Sequence, residues 1–89
     1  LLKEGFPDSL ASEIKELTEE NEVILVHGGG DIVTEISEKL GHPPRFVTSP
    51  RGFRSRYTDE ETSKIFTMVM AGKINKDIVS VLQGLGVKA

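Results

Sequence analysis

Three observations predict an α/β protein. Val23-Ile24-Leu25-Val26 is an unbroken apolar run, rich in β-branched residues, that leads through His27 into Gly28-Gly29-Gly30. Amphipathic helical patterns lie on both sides of that run. A hairpin marked by proline and glycine then separates the second helical pattern from a third.

The first helix is predicted from Ser9 to Glu20. Leu10, Ile14 and Leu17 recur at helical spacing after Pro7-Asp8-Ser9, which offers a proline and two N-cap residues, and Asn21 is the expected stop. Val23–Val26 suits a strand buried on both faces, as in a parallel sheet. From Asp31 the helical period returns through Ile32, Val33, Ile36 and Leu40, ends at Gly41, and is barred from continuing by Pro43-Pro44.

Ser49-Pro50-Arg51-Gly52 places proline and glycine at the second and fourth positions of a type I turn. Arg45-Phe46-Val47-Thr48 and Phe53-Arg54-Ser55-Arg56-Tyr57 are then the arms of the hairpin. Thr58-Asp59-Glu60-Glu61 has the capping-box pattern, with Thr58 as cap. It opens a long last helix carrying Ile65, Val69, Ile78 and Leu82, weakened internally at Gly72 and ended by Gly84 or Gly86. Gly72 is expected to permit a close contact, with another helix or a second subunit, and Lys73 and Lys76 to be solvated. One central strand cannot form a sheet alone. Its partners are expected outside this segment, and the first residue, Leu1, and the end, Leu85-Gly86-Val87-Lys88-Ala89, both read as cut ends of a longer chain.

Composition narrows the function classes. The 89 residues allow at most one domain, burying roughly 60–65% of the unfolded surface. There is no cysteine, which removes disulfides, thiolate metal sites and cysteine nucleophiles and fits a cytoplasmic protein. No apolar run approaches the roughly 20 residues of a membrane span. Two histidines without cysteine give a structural zinc site no support. Net charge is −3, yet residues 1–44 carry ten acids against three lysines, while Arg45, Arg51, Arg54 and Arg56 occupy a stretch free of acids. An arginine-only patch on an acidic body indicates a local anion site, not a nucleic-acid surface.

A strand entering glycines and then a helix is a common anion site, because the helix start exposes unpaired N–H groups and glycine lets an anion approach them. A tight turn without ligand is the competing reading; three consecutive glycines exceed what such a turn needs. A Walker motif is excluded by the spacing and the absence of a following Lys-Ser/Thr, and a dinucleotide fingerprint because position 33 is Val33. If Asp31 caps the helix, the anion rests on Gly29 and Gly30. His27 and His42 read as a loop-bonding and a surface residue. Arg54 and Arg56, two apart on a strand, project to one face, and their planar forks suit carboxylate or phosphate. Arg56, beside Tyr57 and a helix start, reads as a ligand contact. Arg51 on the turn reads as a charge that keeps an edge strand unpaired.

Taken together, "VILVHGGGD", "RSRYT" and "MAGKINKDIV" resemble the amino-acid kinase family, in its acetylglutamate-kinase branch. "FVTSPRGFRSRYT" is more similar to the archaeal members that phosphorylate aminoadipate or glutamate held on an amino-group carrier protein. The resemblance implies a three-layer α/β/α, carbamate-kinase-like fold, present here as an N-terminal fragment, residues 1–89, of the acceptor-binding domain with a β-hairpin insertion. It implies that Gly29 and Gly30 bind the acceptor through their amides and that Arg56 holds its carboxylate. Arg51 and Arg54 would then dock the acidic carrier. The implied reaction is ATP-dependent phosphorylation of a side-chain carboxylate to an acyl phosphate, in lysine or arginine biosynthesis, by a cytoplasmic homodimer.

ATP with Mg2+ would bind mainly outside this segment. So would the catalytic groups, because the family's first strand, with its lysine and paired glycines, stands before Leu1-Leu2 and the nucleotide-binding half follows Ala89. The fragment alone is expected to be inactive. N-acetylglutamate kinase is the near alternative. A non-catalytic module that binds an acidic protein is the alternative of another class.

Overall fold

In a computed structural model the structure describes residues 4–89. The Leu1-Leu2 junction lies outside the described residues. Three helical rods, the last built of three successive segments, and one hairpin follow in the predicted order. Helix α1 spans Asp8–Thr18. Pro7, not Asp8 or Ser9, is its N-cap, with φ −61° and no side-chain capping bond; Asp8 lies in the first turn, where its charge favours the dipole. Past the helix end Asn21 Nδ2 donates to the Leu17 carbonyl at 2.9 Å, the expected stop.

Helix α2 spans Gly30–Lys39 and ends as Gly41 requires. Gly41 has φ +77°, and the N–H groups of Gly41 and His42 donate to the carbonyls of Glu38 and Ser37 at 3.1 and 2.9 Å. This is the Schellman pattern, in which a left-handed glycine satisfies the last orphan carbonyls.

Strands β1 (Arg45–Thr48) and β2 (Arg54–Tyr57) pair antiparallel with Phe46 opposite Arg56 and Thr48 opposite Arg54. The Gly52 N–H donates to the Ser49 carbonyl at 2.9 Å and the Ser49 N–H to the Phe53 carbonyl at 2.7 Å. Gly52, at φ +85°, completes a three-residue loop of type I turn plus bulge.

Helix α3 (Glu60–Thr67), a π-helical turn (Met68–Ile74) and helix α4 (Asn75–Gly84) form one continuous rod. Its cap is Asp59, not Thr58: the Asp59 carboxylate accepts the Thr62 N–H at 2.7 Å, while the Thr58 hydroxyl donates to the Arg56 carbonyl. The predicted weak point at Gly72 lies inside the π-turn. A Cβ at Gly72 would meet nothing within 4 Å, so the expected close contact is not made among the described residues. Lys73 and Lys76 are exposed, as expected. Lys73 pairs with Asp77 at 2.9 Å, and Lys76 Nζ donates to the Ala71 carbonyl at 2.9 Å.

The core lies along the rod. Ala11 and Ile14 of α1 and Ile32 and Val33 of α2 pack with Ile65, Val69, Ile74, Ile78 and Leu82. Helix α1 rests on α4, and α2 on α3 and the π-turn. The predicted strand at Val23–Val26 does not form. This segment has no ladder partner among the described residues, and a strand is defined by inter-strand hydrogen bonds. Its two faces still alternate: Ile24 and Val26 are 91% and 87% exposed, Val23 and Leu25 38% and 39%. Among the described residues nothing covers either face fully, so an apolar run that suits the middle of a sheet stands open on both sides.

The two-stranded antiparallel hairpin and the helices are compatible with an α/β architecture; the only strands among the described residues are those of the hairpin. The backbone of the hairpin packs against none of the helices. The radius of gyration is accordingly 15.8 Å, against about 12 Å for a compact chain of this length.

Candidate functional site: the glycine loop and the arginine hairpin

Gly29 is the N-cap of α2, with φ +151°, a conformation L-residues rarely adopt. Its carbonyl accepts the N–H groups of Ile32 and Val33, both at 3.1 Å. No side chain caps the helix. Asp31 lies within the first turn and caps nothing, so the condition set on it in the sequence, that it take an amide for itself, is not met. The loop turns so tightly because its bare α-carbon meets the π-turn: a Cβ at Gly29 would collide with the Ile74 side chain and come within 3.4 Å of Met70 Sδ. His27 Nδ1 stands 3.1 Å from the Gly28 carbonyl, the local loop bond expected of it.

Arg56 reaches this loop from the hairpin. Its Nη2 donates to the Gly30 carbonyl at 3.2 Å and to the Thr34 hydroxyl at 3.1 Å. Its Nη1 is screened from solvent and has no partner among the described residues.

Arg54 and Arg56 share one hairpin face, as their spacing predicted. Arg54 Cζ lies 3.9 Å and Arg56 Cζ 5.0 Å from the centroid of the Phe46 ring, a geometry in which the ring's negative face attracts both cations. Gly30, Asp31, Thr34, Phe46, Arg54 and Arg56 line one open cavity of about 290 Å³. A second cavity of about 410 Å³ runs along the other side of the glycines, over Phe6, Leu10, Leu25 and Val26. The structure thus brings together Gly30, Arg54 and Arg56. Gly29 borders the second cavity, and Arg51, exposed at the hairpin tip, joins neither.

Thr34 and Phe46 were not singled out in the sequence. Thr34 lies four residues after Gly30, hence on the same helix face, and Phe46 falls opposite Arg56 once the turn sets the register. Both signals were present, but linking them needs the distance between hairpin and helix. A third feature was also missed. His42 Nε2 lies 3.1 Å from Thr62 Oγ1 and 3.3 Å from Asp59 Oδ1, closing the base of the hairpin. The Thr62 N–H holds the Asp59 carboxyl below the usual carboxylate range, aided by the Thr62 hydroxyl and by His42 and opposed by partial desolvation.

The profile of the amino acid kinase family matches residues 4–89, and the chain belongs to that family. It is 49% identical over 83 residues to the [LysW]-aminoadipate kinase of Deinococcus radiodurans, covering 92% of this chain and 28% of the relative. Over 60 residues it is 58% identical to the [LysW]-aminoadipate/[LysW]-glutamate kinase of Sulfolobus acidocaldarius, covering 67% of this chain and 23% of the relative. A Nitrosopumilus maritimus protein, provisionally named for the same pair of activities, is 58% identical over 81 residues, 91% of this chain and 30% of its own length. The chain therefore spans between about a quarter and a third of these curated relatives.

Kinases of this family imply ATP as phosphoryl donor, with Mg2+ as its usual companion. The residues present do not make a site for that pair. Among the described residues no group of three or more His, Asp or Glu stands together to hold a metal ion. Among the described residues Asp31 is the one acidic residue lining either cavity at the glycines, and no lysine lines them. What the arrangement offers is an amide loop beside a half-buried guanidinium, which fits a carboxylate. No helix is long and apolar enough to cross a membrane among the described residues.

Proposed function

We propose that this chain is the acceptor-binding part of a kinase that phosphorylates the side-chain carboxylate of aminoadipate or glutamate carried on an acidic amino-group carrier protein. A carboxylate oxygen attacks the γ-phosphorus of ATP, an acyl phosphate forms and ADP leaves. The amides at Gly29 and Gly30 and the guanidinium of Arg56 hold the acceptor. The first strand of the fold, the nucleotide-binding half and the catalytic groups belong to the rest of the protein, a cytoplasmic homodimer serving lysine or arginine biosynthesis in a three-layer α/β/α fold.

The observation that carries the reading is the Arg56 guanidinium, fastened to the start of α2 and bordering the open cavity beside Gly30. A carboxylate is the partner such a fork is shaped for. The names of the relatives supply the carrier, LysW, as the partner that their substrates ride on. Arg51 and Arg54 support the same choice, since an exposed basic hairpin complements an acidic protein and speeds encounter with it.

The test is ADP release by the natural-length protein offered carrier-linked aminoadipate or free N-acetylglutamate. Turnover with the carrier-linked acceptor alone is expected. Turnover with free acetylglutamate would make this an acetylglutamate kinase and reduce Arg51 and Arg54 to a solvated edge.

A further inference from the structure

We infer that Thr34 is a positioning residue of the acceptor site, holding the Arg56 guanidinium in the orientation that borders the open cavity beside Gly30. The inference rests on the reading of Arg56 as the partner of the acceptor's carboxylate, and it adds a residue that neither the motifs nor the relatives' names point to.

The hairpin backbone packs against no helix, so Arg56 is what ties its second strand to α2. An arginine left on a free-standing strand samples many rotamers, and a substrate would have to order it on binding. Here two acceptors on one face of α2 divide that task. The Gly30 carbonyl also belongs to the first turn of the helix. Among the described residues the Thr34 hydroxyl is the one side-chain oxygen that Nη2 meets, at 3.1 Å, and Thr34 is half-buried.

The Phe46 ring backs the guanidinium, with Arg56 Cζ 5.0 Å from its centroid, so stacking opposes tilting while the hydroxyl opposes rotation in the plane. Held in this way, the guanidinium borders the open cavity that Gly30 and Arg54 also line. The same bond fixes the Gly30 carbonyl on the hairpin side, so the amide loop and the carboxylate partner move as one unit.

Thr34→Val keeps the shape and removes the acceptor; Thr34→Ser keeps the hydroxyl and removes the methyl. In the natural-length enzyme, steady-state kinetics are measured with both substrates varied, and folding is checked by urea denaturation. Thr34→Val is expected to raise KM for the acceptor roughly tenfold, with kcat and KM for ATP nearly unchanged. Thr34→Ser is expected to restore the acceptor KM. An unchanged acceptor KM in Thr34→Val overturns the inference, as does a Thr34→Ser enzyme as impaired as Thr34→Val, since both assign the residue to packing. Arg56→Ala separates the two layers. If it raises the acceptor KM while Thr34→Val does not, only the positioning role falls. If Arg56→Ala leaves the acceptor KM unchanged, the reading of Arg56 falls as well.

Discussion

Gly29 and Ile74 share one space: the α-carbon of the glycine faces the Ile74 side chain so closely that no Cβ fits between them. Forty-five positions separate them in sequence, yet this contact seats the glycine loop on the π-turn of the long helix. Gly29→Ala therefore combines an unfavourable φ of +151° with overpacking. It is expected to lose about 2 kcal/mol or more in urea denaturation. Gly28→Ala, where a Cβ meets nothing within 4 Å, is expected to stay within about 0.5 kcal/mol of the parent. Equal losses at both glycines would contradict the contact.

At Gly72 the expectation has the opposite sign. A helical glycine facing open space has only its backbone entropy to lose, so Gly72→Ala should stabilise the chain by up to about 1 kcal/mol. The same substitution in the natural-length protein reports on assembly. A falling dimer fraction in sedimentation, with monomer stability intact, would place a second subunit against this bare face.

Asp59 makes stability depend on pH in a defined direction. Its carboxyl is held below its ordinary value of 3.8, first by the Thr62 N–H. A depressed carboxylate contributes in full above its unfolded pKa and loses that contribution as pH falls through the still lower folded value. The urea midpoint of the parent should therefore drop on acidification below about pH 4. Asp59→Asn keeps an acceptor for the Thr62 N–H but cannot titrate, so its profile should be flatter there. Identical acid slopes would rule Asp59 out as the source.

The hairpin arginines give a prediction about salt. Reversing charge at Arg51 and Arg54 together should raise KM for a carrier-linked acceptor roughly tenfold at low ionic strength, and the gap should shrink in high salt as screening removes the attraction. Free-acceptor kinetics should not change with Arg51→Glu. A gap that persists in high salt would point to contacts other than charge steering.

Much of this architecture was legible locally. The stop at Gly41, the turn at Ser49-Pro50-Arg51-Gly52 and the helical period of Ile65, Val69, Ile78 and Leu82 are set by backbone preferences and side-chain spacing within a few residues. The shared face of Arg54 and Arg56 follows from the two-residue period of a strand. Two local expectations failed for local reasons. Thr58 and Asp59 compete for one cap and the carboxylate takes it, and Pro7 occupies the cap position offered to Asp8 and Ser9. The π-turn was visible only as a weak glycine.

By itself the sequence determined where the helices and hairpin lie, that glycines precede α2, and that every arginine falls in one short stretch, because those features depend on neighbours along the chain. Tertiary structure decided the rest. Val23–Val26 has the composition of a central strand, but a strand exists only where another backbone bonds to it, and none among the described residues does. Arg56 becomes a site residue only because folding carries it 26 positions back to Gly30 and 22 back to Thr34. No periodicity encodes that approach; it is set by the packing of α2 on the long helix and by the fixed span of the hairpin between them.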